Sequence, residues 1–178
     1  MRRILSGSVL AAAAACAFFA PATHAATNAP LVFDCDAAAG RSASVGVGGG
    51  TAVAVTTRIA PRTLQRGQTR PTAGLTVSSA DGRNVVGIQI VQASPTAQTF
   101  SLAVVGRNAG TPFRTPLAEL PLAAPVDVII QLDASGRGTI RIGAQQAPLS
   151  VADTGPKRVE AFCGSGQFRF DPLTVRSN

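Results

Sequence analysis

The stretch Val128–Ile142 reads VIIQLDASGRGTIRI. Val128, Ile130 and Leu132 alternate with Ile129 and Gln131, and after a gap Ile140 and Ile142 flank Arg141. A period of two places alternate side chains on one face of a strand. The gap, Ala134-Ser135-Gly136 after Asp133, supplies a side chain that bonds its own backbone and a glycine for positive φ. Two alternating runs around such a turn read as a β-hairpin.

The same pattern extends in both directions. Apolar residues alternate at Leu75 and Val77, at Val86, Ile88 and Ile90, at Phe100, Leu102 and Val104, and from Val126 onward. TAVAVTT, residues 51–57, is a further run rich in β-branched residues. Asp81-Gly82 and Asn108-Ala109-Gly110 mark turns between runs. Twelve prolines and 18 glycines oppose long helices. A single helical turn is expected around Leu117–Leu120, between Pro116 and Pro121. Many short strands with close turn signals predict an all-β fold, an antiparallel two-sheet β-sandwich.

The chain begins MRRILSGSVLAAAAACAFFAPATHA. A basic head at Arg2 and Arg3, an apolar run and small residues at Thr23 and Ala25 have the layout of a secretory signal peptide cleaved after Ala25. The run is broken by Ser6, Gly7 and Ser8 and is short of the roughly 20 apolar residues that span a bilayer. No transmembrane segment is expected. Acylation at Cys16 is the weaker alternative, because the chain stays apolar through Phe18 and Phe19. The expected organisation is signal peptide 1–25, a flexible lead 26–30 and one β-sandwich domain 31–178, with a periplasmic or extracellular destination. Loss of Arg2 and Arg3 takes Lys and Arg from 16 to 14 against 9 Asp and Glu, a net charge of +5. His24, the one histidine, leaves with the leader, as does Cys16. Cys35 and Cys163 remain, and an even number of cysteines in an oxidising compartment favours a disulfide.

Three segments carry a resemblance. AGLTVSSADGRNVVGIQI (73–90), PVDVIIQLDASGRGTIRIGAQQ (125–146) and GSGQFRFDPLTV (164–175) resemble a strand pair, the following hairpin and the closing strand of concanavalin A-like and laminin G-like jelly rolls. The hairpin's far turn is Gly143-Ala144-Gln145-Gln146, where these folds usually have Asn-Gly. The resemblance implies a jelly roll whose first and last strands lie side by side, which makes Cys35 and Cys163 partners. The fold hosts lectins, hydrolases, lyases and adhesion modules, so it does not fix a function.

Composition removes several chemistries. A mature chain without histidine has no Ser-His-Asp triad and no His-based zinc or copper site, and no cofactor is expected. CGSG, residues 163–166, lacks the spacing of a nucleophile elbow, and Ser165 has no base. GVGGGT, residues 46–51, precedes a strand-like run rather than a helix, so it reads as a turn. Glu119 and Glu160 do not form the Glu-x-Asp-x-x-Glu strand motif of the jelly-roll glucanases this fold resembles. Asp34 and Asp36 share one strand face, as an acid pair, a calcium ligand set or, the plainer reading, a solvated strand edge. Of six phenylalanines in the mature chain, Phe113 in GTPFRTP is expected to be exposed and the others to lie in strands.

The positive feature is RIAPRTLQRGQTR, in which Arg58, Arg62, Arg66 and Arg70 recur every four residues. Pro61 and Gly67 oppose a helix, so a loop presenting guanidinium groups is expected. Arginine forks match phosphate, sulfate and carboxylate. The partners implied are acidic glycan, lipopolysaccharide or an acidic protein. Nucleic acid is not, since no aromatic platform for single strands is evident. The reading from sequence is a protein that is not an enzyme, a binding or structural module of the cell envelope. The alternative is a polysaccharide hydrolase or lyase using carboxylates.

Overall fold

A computed structural model describes residues 26–27, 29–65 and 69–178. Residues 1–25, the expected signal peptide with Cys16, and Arg66 lie outside the described residues. Among the described residues there is no helix, so none is long and apolar enough to cross a membrane.

Among the described residues eleven strands form the fold: β1 Ala26–Thr27, β2 Leu31–Gly48, β3 Val53–Leu64, β4 Thr72–Ser79, β5 Val85–Gln92, β6 Thr99–Asn108, β7 Thr111–Pro121, β8 Val126–Leu132, β9 Arg137–Ile142, β10 Gln145–Ser150 and β11 Lys157–Ser177. Their pairings are antiparallel, in the order β10-β9-β8-β3-β11-β4-β5-β6-β7, with β1 and β2 also on β11. β8 and β9 are the hairpin read from Val128–Ile142. Asp133 accepts hydrogen bonds from Ser135 N (2.8 Å) and Arg137 N (3.0 Å), and Gly136 has φ 75°.

β11 turns the sheet into a sandwich. Its first half, Lys157–Gly164, pairs with β4, and its second half, from Gly166, pairs with β3. The corner is Gly164-Ser165-Gly166, where Ser165 has φ 52°. β2 bends alongside, with Gly40 at φ 73°, and Gly40 N donates to Ser165 Oγ at 3.0 Å. The two halves close on one apolar core that includes Val55, Ile59, Ile130 and Ile140 from the β3 side and Leu75, Ile88, Ile90 and Leu102 from the β4 side. Phe100 of β6 meets Phe168 of β11 across it, ring centroids 6.0 Å apart. Asp171-Pro172 interrupts the β11 register, so Phe170 and Leu173 both point inward, buried.

The disulfide Cys35–Cys163 is present, with both cysteines buried. The two are not directly opposed: Cys35 faces Phe168 and Cys163 faces Ala43. The bond therefore spans the bend, tying the β3 half to the β4 half beside the corner.

Three local expectations change. The segment around Leu117–Leu120 is strand β7, not a helical turn. β7 lies at the end of the strand order, where one side needs no ladder donors, so Pro112, Pro116 and Pro121 are tolerated. RIAPRTLQRGQTR is not one loop, because Arg58 to Leu64 belong to β3. Ala26 and Thr27, expected in a flexible lead, pair with Ser177 and Arg176.

Candidate functional site

The outward face of the β4 half is polar and hollowed, and the sequence pattern explains why. In β4 and β5, Leu75, Val77, Val86, Ile88 and Ile90 point into the core. Thr72, Gly74, Thr76, Gly87 and Gln89 are left on the outer face. Cross-strand register sets Gly74 beside Gln89, Thr76 beside Gly87, and Gln89 beside Ala103. Two glycines and an alanine add no long side chains to this floor, which leaves room for those of Gln89 and Phe162. A Cβ at Gly87 would lie 2.1 Å from Leu75 O, so this close approach of strands requires glycine.

β7 forms one wall. Its register shifts between Ala118 and Pro116, leaving Leu117 as the extra residue of a bulge. The bulge changes the parity of the strand, so Arg114 and Glu119 both face outward. Arg114 Nη1 donates to Gln89 Oε1 at 2.6 Å. Glu119 Oε2 accepts from Thr99 Oγ1 at 3.3 Å. At the far end Arg70 Nη1 donates to Ala93 O at 3.1 Å. Arg70, Thr72, Gln89, Arg114 and Glu119 line a hollow of about 650 Å³. Its guanidiniums make no ion pair with a carboxylate among the described residues. Gln89 gives its oxygen to Arg114 and keeps its amide donors for a ligand.

A second hollow, of about 520 Å³, lies further along the same face and is lined by Ser44, Thr76, Arg107, Glu160 and Phe162. Phe162 lies in a strand, as expected, and is partly buried on this outer face. Phe113 is 38% exposed, as the sequence suggests. Phe33 stacks on Phe170 at 5.5 Å.

Of the four arginines singled out by spacing, the three among the described residues do not line one hollow. Arg70 lines the first hollow. Arg58 faces outward from the other half of the sandwich, 3.8 Å from Asp127. Arg62 is exposed on β3, and Arg66 is outside the described residues. Asp34 and Asp36 are occupied by their neighbours on β11: Arg169 Nη1 reaches Asp34 at 3.3 Å and Gln167 Nε2 donates to Asp36 at 3.0 Å. Among the described residues no cluster of three metal-ligating side chains occurs. Arg169 also bonds Asp171 at 3.0 Å, so Asp34, Asp127 and Asp171 of the β3 half are ion-paired, whereas Arg70 and Arg114 of the groove are not among the described residues.

Sequence reasoning missed Arg114, Gln89, Arg107 and Phe162 as groove residues. The period of two already puts Gly87 and Gln89 on the polar face. Nothing local announces the bulge that brings Arg114 and Glu119 to it.

Glu119 and Glu160 share the face but lie four strand spacings apart, on the order of 20 Å. Two-acid glycoside hydrolysis needs carboxyls about 5–9.5 Å apart, so these two are not such a pair.

No protein-family model matches the chain, and no curated protein matches it in sequence. Solved structures do match it in shape. An alginate lyase from Alteromonas sp. 272 superposes with a TM-score of 0.52 at 8% identity, covering 76% of this chain and 75% of that one. The family 18 polysaccharide lyase aly-SJ02 gives 0.54 at 10% identity over 89% and 88%. The carbohydrate-binding module CBM66 from Bacillus subtilis gives 0.50 at 10% identity over 76% and 82%. The fold is a concanavalin A-like jelly roll. Two of these three jelly rolls are polysaccharide lyases, which overturns the expectation that the chain is not an enzyme. The jelly roll's glycan-directed relatives by shape also include a binding module.

Proposed function

We propose that this jelly roll is an exported protein that binds acidic polysaccharide in the groove over β4–β7 and cleaves it by β-elimination. The observation that carries the reading is the first hollow, which Arg70, Arg114 and Gln89 line with neither arginine ion-paired among the described residues, and where Glu119 stands in the same cavity. A uronate carboxylate seated against Arg114 and the Gln89 amide has its charge offset, which acidifies the proton on the adjacent ring carbon. Glu119, held by Thr99, is the carboxylate in reach to take that proton. The C–O bond to the next sugar breaks, leaving an unsaturated uronate, and the departing oxygen takes a proton from solvent. Export is supported by the buried disulfide and the leader-like first 25 residues. The single-domain organisation of residues 31–178 belongs to the same proposal.

The test uses the mature protein with alginate, polygalacturonate, glycosaminoglycans and neutral dextran. Retardation in gels containing the acidic polymers, and ultraviolet absorbance from unsaturated product, are the expected results. Arg114→Ala removes a charged hydrogen bond of about 1.5–3 kcal/mol and should weaken binding roughly 10- to 100-fold. Glu119→Gln should keep binding and lose product formation. Binding to no acidic polymer would overturn the whole reading. Binding with no product from any of them would overturn the elimination step.

A further inference from the structure

An aromatic ring lies on the groove floor, partly exposed. Phe162 extends from β11 on the face opposite the core, although its strand neighbours Ala161 and Cys163 are fully buried. In register it lies between Ser44 of β2 and Gly74 of β4. A Cβ at Gly74 would come within 2.5 Å of Phe162 Cζ and 2.7 Å of Cε1. The ring thus leans over Gly74, and any larger residue there would push it away. Gly74 is followed across the sheet by Gln89 of the first hollow, and Phe162 itself lines the second. A partly exposed apolar ring is left between two hollows, one with Arg70, Arg114 and Glu119, the other with Arg107 and Glu160.

The C–H bonds on one face of a pyranose make it apolar, and an aromatic face is its natural complement. Acidic groups on the neighbouring sugars then fall toward the two hollows. We propose that Phe162, laid down on Gly74, is the stacking platform for one sugar of an acidic oligosaccharide that reaches Arg114 on one side and Arg107 on the other. The inference rests on the groove being the glycan site and adds which ring seats the chain and that more than one sugar is needed.

The mature chain has no tryptophan, so Phe162→Trp introduces a single fluorophore at the platform. Titration with acidic oligosaccharides of increasing length should shift or quench its emission once the ligand spans both hollows, and neutral dextran should not. The same titration of Phe113→Trp, whose ring lies over Gly106 on the other face of the sheet, should leave emission unchanged. Phe162→Ala and Phe162→Leu, checked by thermal melts for intact folding, should each weaken binding about tenfold. Leucine keeps apolar bulk without a flat face, so it separates stacking from simple filling. Arg107→Ala should weaken longer ligands and spare the shortest. If Arg114→Ala loses binding while Phe162→Ala and Phe162→Leu bind like the parent and the emission of Phe162→Trp stays flat, the platform is refuted and the groove reading stands. If the parent protein binds no acidic oligosaccharide, both fall together.

Discussion

Ser165 sits at the bend of β11 with left-handed backbone geometry and accepts the Gly40 amide at 3.0 Å. Its oxygen is committed to a structural bond, and no histidine occurs among the described residues to activate it. Ser165→Ala should cost about 1 kcal/mol through the lost hydrogen bond, while leaving any product formation intact. Ser165→Gly loses the same bond but relieves the left-handed strain of about 1–2 kcal/mol, so its unfolding midpoint should lie close to that of the parent. Urea melts of the three proteins decide this. Asp133 serves a turn in a similar way. The Ser135 hydroxyl, then the Arg137 amide, hold its carboxyl below the ordinary carboxylate range. The Ser79 hydroxyl and the Arg83 amide do the same for Asp81. A carboxylate with a depressed folded pKa contributes stability above its unfolded pKa, and that contribution is lost as pH falls through the folded value. Melting temperature should therefore decline in the acid range, and Asp133→Ala should make that decline shallower while lowering stability at neutral pH.

Among the elements, β7 and β10 end the strand order and leave backbone groups unpaired. Pro112, Pro116 and Pro121 interrupt the edge of β7, and Pro148 that of β10. Such breaks keep edges from pairing with other molecules. Replacing Pro112 and Pro116 with Thr should produce concentration-dependent dimers or larger species by light scattering; a variant that stays monomeric like the parent would remove this role. The same prolines explain why the sequence misled. They argue for a turn when neighbours are unknown, whereas an edge strand accepts them, and edge position is a property of topology. The β8–β9 hairpin was legible because alternation and turn chemistry both lie within 15 consecutive residues. The site was legible in part. Gly87 and Gln89 follow from a period of two, and Arg70 from its spacing in an arginine-rich run. Arg114 and Glu119 share a face only because of the bulge at Leu117, and Phe162 is an outward residue in a strand whose other phenylalanines point in.

At the scale of the whole molecule, ion pairing differs between the two faces. Arg58, Asp127, Arg169, Asp34 and Asp171 compensate one another on the β3 half, while Arg70, Arg107 and Arg114 face the groove with no acidic partner in contact among the described residues. Binding of acidic glycan should weaken steeply as salt rises from low to physiological strength, since exposed charges are screened over about 8–10 Å. The disulfide closes a separation of 128 residues. Constraining so long a loop stabilises by as much as about 5 kcal/mol in the chain-entropy view. The double variant Cys35→Ala/Cys163→Ala should melt well below the parent. The unfolded, unreduced parent should resist alkylation and weigh two hydrogens less than the dithiol form.

β11 pairs with β1, β2, β3 and β4, and it follows every one of them in the chain. The β3 half and the β4 half have no ladder to each other except through β11. Joining the two halves must therefore wait for the carboxyl-terminal segment. If the chain is exported, as proposed, that order is an asset: the leading part stays translocatable, and the last strand across both completes the sheet and delivers Cys163 to Cys35.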